Sequence, residues 1–395
     1  MFSKRTIKGV DVKGQRVLVR VDFNVPIADG AVTDDTRVRA ALPTIRYLVD
    51  HGARVILASH LGRPKGEPDP EFSLKPVRRT LQRLLGRNVF FAPETVGQET
   101  TDSVDRLIDG EVLMLENLRF NPGEKENDPG FAKELASLAD IYVDDAFGAA
   151  HRAHASTEGV THYLPAYAGL LLAREVETLT DMLSDPARPF VAILGGSKVS
   201  DKFGVIDRLI DCVDVLLIGG GMAFTFLVAQ GIEVGTSIVE ADWIEPAKAM
   251  LAKAEAKGCD LVLPFDFVAA DAFAEDAETR IVGREEIPPA MMGLDIGPAS
   301  EESFKHEISV AKTIFWNGPM GVFEMKPFES GTRAVAEAIS RNNRAVSVVG
   351  GGDSVAALKK FKLEDRVTFV STGGGASMKL LEGTTLPGVE ALLDR

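Results

Sequence analysis

Two lysines four residues apart, Lys198 and Lys202, stand just past the pair Gly195-Gly196 at the start of a predicted helix. On one helical face both ammonium groups can reach a single anion. Further along, Asp353 follows Gly350-Gly351-Gly352, where a carboxylate can hold Mg²⁺ against phosphate oxygens or, alternatively, cap a helix. The same half of the chain repeats such turns at Gly219-Gly220-Gly221, Asn317-Gly318-Pro319 and Ser371-Thr372-Gly373-Gly374-Gly375. Glycine removes the Cβ atoms that keep a polyphosphate from backbone N–H groups, and helix N-termini add a positive dipole end. A tight strand-to-helix connection is the other use of any single loop, and the charged residues attached to these loops favour phosphate chemistry.

The first half offers a different chemistry. In RVDFNVP the apolar Val17, Val19, Val21, Phe23 and Val25 alternate with Arg20, Asp22 and Asn24, giving a strand with one polar face. Central parallel strands are usually apolar on both faces, so this one is either a solvated edge or a surface that hydrogen-bonds a substrate. Cations recur near neighbouring strand ends: Arg37, His60 and Arg63 in SHLGRP, Arg119 in ENLRF, and His151, Arg152 and His154 in AHRAHAS. Gathered at one sheet edge they make a pocket for a small anion bearing carboxylate and phosphate, a task suited to bidentate arginine.

The elements that must carry these residues follow from the alternation of short Val/Ile/Leu runs with stretches of helical spacing, the pattern of parallel βα units. Candidate strands are RVLVRVDFNV, RVILASH, NVFFAPE, EVLMLENLRF and IYVDDAF, then FVAILGG, VLLIGGG, LVLPFDF, TIFWNGP, AVSVVGGGD and VTFVSTGGG. The fold class is α/β: two tandem doubly wound, Rossmann-like parallel-sheet domains. A length of 395 residues fits two hydrophobic cores better than one. Between them LLLAREVETLTDML places Leu172, Val176, Leu179 and Leu183 on one face, predicting an interdomain helix that SDPARP stops. The charged loops NPGEKENDPG and AEDAETR predict solvated turns.

A formal charge of −14 opposes broad binding to nucleic acid or an anionic membrane. The cysteines Cys212 and Cys259 cannot make a disulfide framework or a four-ligand zinc site. MFSKRTIKGVDVKG has no apolar run for a signal peptide, and the uncharged stretch from Val215 to Ile232 is interrupted by glycines, so strand, turn and helix are expected there rather than a membrane span. A cytoplasmic protein is expected. No glycine is followed directly by lysine and no complete GxGxxG occurs, so a nucleotide site would be neither a Walker A loop nor a dinucleotide fingerprint.

With RVDFNVP, SHLGRP, ENLRF, DAFGAAHRAHAST, GGSKVSDK, GGGMAFTF, GLDIGP, WNGPMGVFE, GGGDS and STGGGAS in one order, the sequence resembles the phosphoglycerate kinases over essentially its whole length. The resemblance implies a phosphoglycerate-binding domain over residues 1–169, an interdomain helix over 170–184, a nucleotide-binding domain over 185–380, and a segment, 381–395, that packs back on the first domain. It implies a monomer using Mg²⁺ with ATP or ADP as co-substrate and 3-phosphoglycerate or 1,3-bisphosphoglycerate as partner. By the same resemblance, Asp22, Asn24, Arg37, His60, Arg63, Arg119 and Arg152 are phosphoglycerate contacts. Lys198 and Lys202, with Arg37, face the transferred phosphoryl group, and Asp353 is linked to the metal. Gly219, Gly220, Gly293, Asn317, Pro319 and Glu324 resemble the adenosine pocket, while Gly351, Gly352, Asp353, Ser354, Gly373, Gly374 and Gly375 resemble phosphate-proximal turns. Ser197 stands where the family commonly has alanine.

Attack by a β-phosphate oxygen of ADP, or by a carboxylate in reverse, needs no deprotonation, so the implied catalysis is alignment and charge neutralisation. A nicotinamide-dependent dehydrogenase on this architecture is opposed by the missing GxGxxG. A two-lobed anion-binding protein would not need the second, lysine-bearing glycine site.

Overall fold

The computed structural model describes residues 2–395. The chain forms two compact units, Met1–Thr178 with Thr384–Arg395, and Leu179–Gly383.

The first unit is built on strands β1 (Arg16–Arg20), β2 (Arg54–Ala58), β3 (Val89–Phe91), β4 (Val112–Met114), β5 (Ile141–Asp144) and β6 (Ala166–Ala168). They pair in the order β3-β4-β2-β1-β5-β6, all parallel. Val17, Leu18 and Val19 of the central β1 are all at most 1% exposed, as expected where helices cover both faces of a parallel sheet. Each such side chain contributes roughly 1.5–3 kcal/mol by its burial. The terminal segment joins this unit through backbone bonds from Leu393 N to Ala166 O (3.1 Å) and from Gly388 N to Ala150 O (2.9 Å).

The second unit has β7 (Phe190–Leu194), β8 (Val215–Ile218), β9 (Asp260–Val262), β10 (Asp266–Ala270), β11 (Thr279–Gly283), β12 (Met292–Ile296), β13 (Thr313–Asn317), β14 (Val346–Val349) and β15 (Phe369–Val370). Its main sheet, β9-β8-β7-β13-β14-β15, is parallel and six-stranded. The predicted helix after the first domain spans Leu170–Ser184. The uncharged stretch resolves into β8, a glycine turn and the helix Met222–Ala229, and no helix among the described residues is long and apolar enough to cross a membrane.

Several expectations are corrected. RVLVRVDFNV is not one strand: pairing ends at Arg20, and Val21–Val25 continues as a loop. Its polar face is neither solvated nor available at Arg20, which is only 1% exposed. LVLPFDF is split by Pro264, giving β9 in the main sheet and β10 in a separate antiparallel sheet of order β11-β10-β12. The AEDAETR loop runs into β11 of that sheet. Strand β6 and the hairpin Ile27–Ala28 with Ala31–Val32 were not anticipated, being too short to show a period. NPGEKENDPG is not wholly solvated, since Glu124 is 0% exposed.

Candidate functional site

In the first unit the predicted cations meet at the carboxyl ends of the strands. The loop after β1 presents Asp22, whose Oδ2 accepts from Arg37 Nη1 at 2.8 Å. Arg37 sits in the first turn of the helix Thr36–Asp50 and also reaches Asn24 O at 3.3 Å. Asn24 Oδ1 accepts from Gly62 N (2.9 Å), and Gly62 O accepts from Arg119 Nη1 (2.6 Å), so one residue of the SHLGRP turn ties two of the candidate contacts together. Asn117 fixes that turn by pairing with both backbone groups of Leu61, at 3.2 and 2.8 Å. Arg63 is exposed just beyond it. Arg152 is also exposed and donates from Nε to His151 Nε2 at 3.0 Å.

Burial and the mutual repulsion of close cations dominate the electrostatics of this cluster. Burial first, then Arg20 and Arg152, pushes Arg119 down to about 10. Its Nε is buried without a partner, an open donor at a place where an anion would supply the acceptor. Burial, followed by Arg20, Arg119 and Arg37, holds His60 well below the usual imidazole range. His154 is pushed to about 4 by burial and then by Arg20, Arg119 and Arg152. Both rings are therefore neutral at neutral pH. They contribute hydrogen-bonding capacity without adding to the repulsion among the arginines. Arg20, treated in the sequence only as part of a polar strand face, is the buried centre of this cluster.

In the second unit the strands end where expected: β7 before Gly195, β8 before Gly219, β13 before Gly318, β14 before Gly350 and β15 before Ser371. The first two turns interlock. Gly195 N donates to Asn317 O, Gly196 N to Pro319 O, Gly219 N to Leu194 O and Gly220 N to Met320 O, each within 2.8–3.0 Å. Their N–H groups are therefore spent on backbone, which corrects the idea that these glycines cradle phosphate. They are small because the turns touch: at Gly220, with φ +68, a Cβ would lie 2.6 Å from Gly196 N. As at Phe203–Ile210 and Met222–Ala229, no side chain caps the N-terminus of the helix Gly352–Phe361. Its unpaired N–H groups and dipole remain for a ligand. Asp353 lies inside the first turn rather than at the N-cap, which is Gly351, and is exposed. The capping alternative is thereby excluded.

A cavity of about 390 Å³ opens beside this turn. Gly220, Gly293, Pro319, Glu324 and Asp353 line it, together with Gly196 and Ser197. Sequence inspection missed its apolar walls: Phe224 and Ile238 on one side, and Phe267, Met292 and Leu294 from the unforeseen antiparallel sheet. Phe224 lies within the quoted run GGGMAFTF, but no periodicity distinguishes a cavity wall from core. Gly219 and Asn317 stand behind the lining: a Cβ on Gly219 would meet Met320 Sδ at 2.4 Å, and Asn317 O accepts from Lys202 Nζ at 2.7 Å, with its Oδ1 also bound to that ammonium. Asn317 Nδ2 is a buried donor with no partner. Ser354 is fully buried, its hydroxyl accepting from Gly318 N at 2.6 Å, and Gly373 N donates to Ser371 Oγ at 3.2 Å. These two, with Gly351, Gly352, Gly374 and Gly375, shape turns outside the cavity lining. Lys198 and Lys202 do not share a helix, because the helix begins only at Phe203; Lys198 is exposed in the preceding loop. Burial pushes Lys202 down to about 8, against the pull of Asp353 and Asp201.

An arginine cluster on one parallel sheet, and on another a cavity flanked by a lysine, a carboxylate and an open helix N-terminus, define a two-unit α/β phosphotransferase. The family is shown by comparison. Residues 7–384 match the model of the phosphoglycerate kinase family. The chain is 56% identical over 394 residues to the phosphoglycerate kinase of Moorella thermoacetica and 55% identical over 398 residues to that of Chloroflexus aurantiacus, covering 100% of each chain in both cases. Among solved structures, phosphoglycerate kinase from Coxiella burnetii superposes with a TM-score of 0.89 at 42% identity, and that from Pyrococcus horikoshii with 0.87 at 32%, each over 98% of both chains. The chain belongs to the phosphoglycerate kinase family, and its activity is that of a phosphoglycerate kinase.

Proposed function

We propose that the first unit binds 3-phosphoglycerate or 1,3-bisphosphoglycerate and the second binds ADP or ATP, and that a phosphoryl group passes reversibly between them. The observation that carries this division is Asp353 lining the 390 Å³ cavity with Lys202 near enough to feel its charge, while the arginine cluster is confined to the other unit. Phe224, Ile238 and Phe267 offer an apolar slot for a nucleoside base, and Glu324 an acceptor for its sugar hydroxyls.

Mg²⁺ fits the residues present. Asp353 is exposed and caps nothing, and no cluster of three or more ligating side chains exists among the described residues. That matches an ion held by one carboxylate together with substrate phosphates and water. When bound, Mg²⁺ neutralises charge on the nucleotide phosphates. Asp353 holds it, the uncapped helix turn donates to phosphate oxygens, and Lys202 and Lys198 offset the charge of the group in transit. From the first unit Arg37, buttressed by Asp22, supplies the same service to the acyl phosphate. Because the two substrates belong to separate units, transfer requires the units to close, with the Leu170–Ser184 helix at the boundary and residues 381–395 returning to the first domain. A cytoplasmic monomer remains the expectation for the chain.

The division is tested by isothermal titration. Arg119→Ala or Arg152→Ala weakens binding of 3-phosphoglycerate and leaves ADP affinity intact. Loss of ADP binding in either variant contradicts the division.

A further inference from the structure

Glu124 lies in a stretch whose composition predicts a solvated turn, yet it is 0% exposed and sits among the cations of the first unit. Its Oε1 accepts from Ser156 Oγ at 2.7 Å and its Oε2 from Ser156 N at 3.1 Å. The backbone O of Glu124 takes Ala155 N at 3.0 Å. The helix Gly123–Glu126 thus pins the loop that carries Arg152 and His154. Ser156 Oγ in turn accepts from Arg20 Nε at 2.8 Å, and Glu124 Oε1 lies 3.9 Å from Arg20 Nη2. Arg20 is 1% exposed, and a second donor of its guanidinium meets His60 Nδ1 at 3.1 Å.

Arginine has five donors and no acceptor, so Nδ1 of His60 is the acceptor in that contact. The proton of the neutral ring then belongs on Nε2, leaving an N–H donor at the other end of the imidazole. Removing the Glu124 charge takes from the buried guanidinium of Arg20 the carboxylate 3.9 Å from its Nη2, leaving the charge of Asp144 and the bond to Val21 O to hold it, and loosens its orientation towards His60.

We infer that Glu124, through Ser156 and Arg20, is a positioning residue that fixes His60 as the neutral Nε2–H tautomer, so that His60 donates to an oxygen of the bound phosphoglycerate. This rests on the placement of phosphoglycerate in the first unit. A purely structural counterion would hold the fold together without selecting a tautomer. The relay does both, and the burial that keeps His60 neutral ensures that the selected form persists at neutral pH.

The test uses the whole chain with ¹⁵N-labelled histidine, with the His60 signal assigned by its loss in His60→Gln. Two-bond ¹H–¹⁵N spectra at neutral pH report the tautomer in wild type, Glu124→Gln and Ser156→Ala, and steady-state kinetics report KM for each substrate. Wild type shows the Nε2–H form. Both variants mix tautomers and raise KM for 3-phosphoglycerate roughly tenfold, the worth of one hydrogen bond to a charged ligand, while KM for ATP stays within about twofold. If Glu124→Gln fails to fold, Ser156→Ala, which keeps the carboxylate, decides alone. A wild-type Nδ1–H form, or variants with unchanged tautomer and unchanged KM, overturns the inference while leaving the phosphoglycerate site standing. A wild type without phosphoglycerate-dependent ATP consumption removes both.

Discussion

The ammonium of Lys202 is held against the backbone and side-chain oxygens of Asn317, the last residue of β13, while Asp353 acts on it from the neighbouring helix. Burial dominates and pushes it down to about 8. In the free enzyme Lys202 therefore loses its proton as pH rises through about 8, and kcat/KM for nucleotide falls on that alkaline limb. Bound phosphates favour the charged form, so the limb in kcat lies at higher pH. Because the folded value lies below the ordinary 10.5, the buried charge costs stability at low pH, and the cost lifts between about 8 and 10.5. A pH profile of kcat/KM that stays flat through this window contradicts the role of Lys202.

Lys198 and Arg37 belong to different units and are assigned to the group in transit. Lys198→Ala or Arg37→Ala lowers kcat by roughly 10² to 10⁴, with much smaller changes in KM, as for other electrostatic transition-state donors. The double variant is less damaged than the product of the single effects, because either loss already leaves the charge poorly neutralised. Kinetics with both substrates varied decide it. A strong rise in KM with kcat unchanged makes either residue a ground-state binder.

Asp353→Asn keeps the shape of the first helical turn and removes the charge. The Mg²⁺ concentration for half-maximal rate rises by roughly ten- to a hundredfold, since one carboxylate is the protein's main hold on the ion. An unchanged Mg²⁺ titration at fixed ATP eliminates this carboxylate as the ligand.

Gly220→Ala combines a left-handed φ of +68 with a Cβ 2.6 Å from Gly196 N, backbone that cannot move aside. The expected destabilisation is roughly 2–4 kcal/mol, from conformational strain and overpacking together. Denaturant unfolding measures it, and a loss under about 0.5 kcal/mol shows that the two turns are not locked as described.

The parallel framework was legible because β7, β8, β13 and β14 each run into a glycine turn, and the arginine cluster because most of its members stand at or just after strand ends. What stayed hidden had physical reasons. Charge in NPGEKENDPG signals solvent, yet a carboxylate surrounded by arginines is stable in the interior, so Glu124 contradicts its composition. Arg20 was visible as a polar residue in a strand, but only the fold shows that it faces Ser156 and His60. The helical spacing of Lys198 and Lys202 misled because Val199–Lys202 forms turns before the helix begins at Phe203. Phe267 and Met292 could not be connected with a cavity before the β10 and β12 pairing brought them together.

The central claim is that phosphoryl transfer requires a phosphoglycerate on one unit and a metal nucleotide on the other. A coupled assay following ATP consumption by the purified chain tests it most directly. Turnover should appear only when 3-phosphoglycerate, ATP and Mg²⁺ are all present and should vanish on adding EDTA. ATP consumption that persists without 3-phosphoglycerate, or survives chelation, contradicts it.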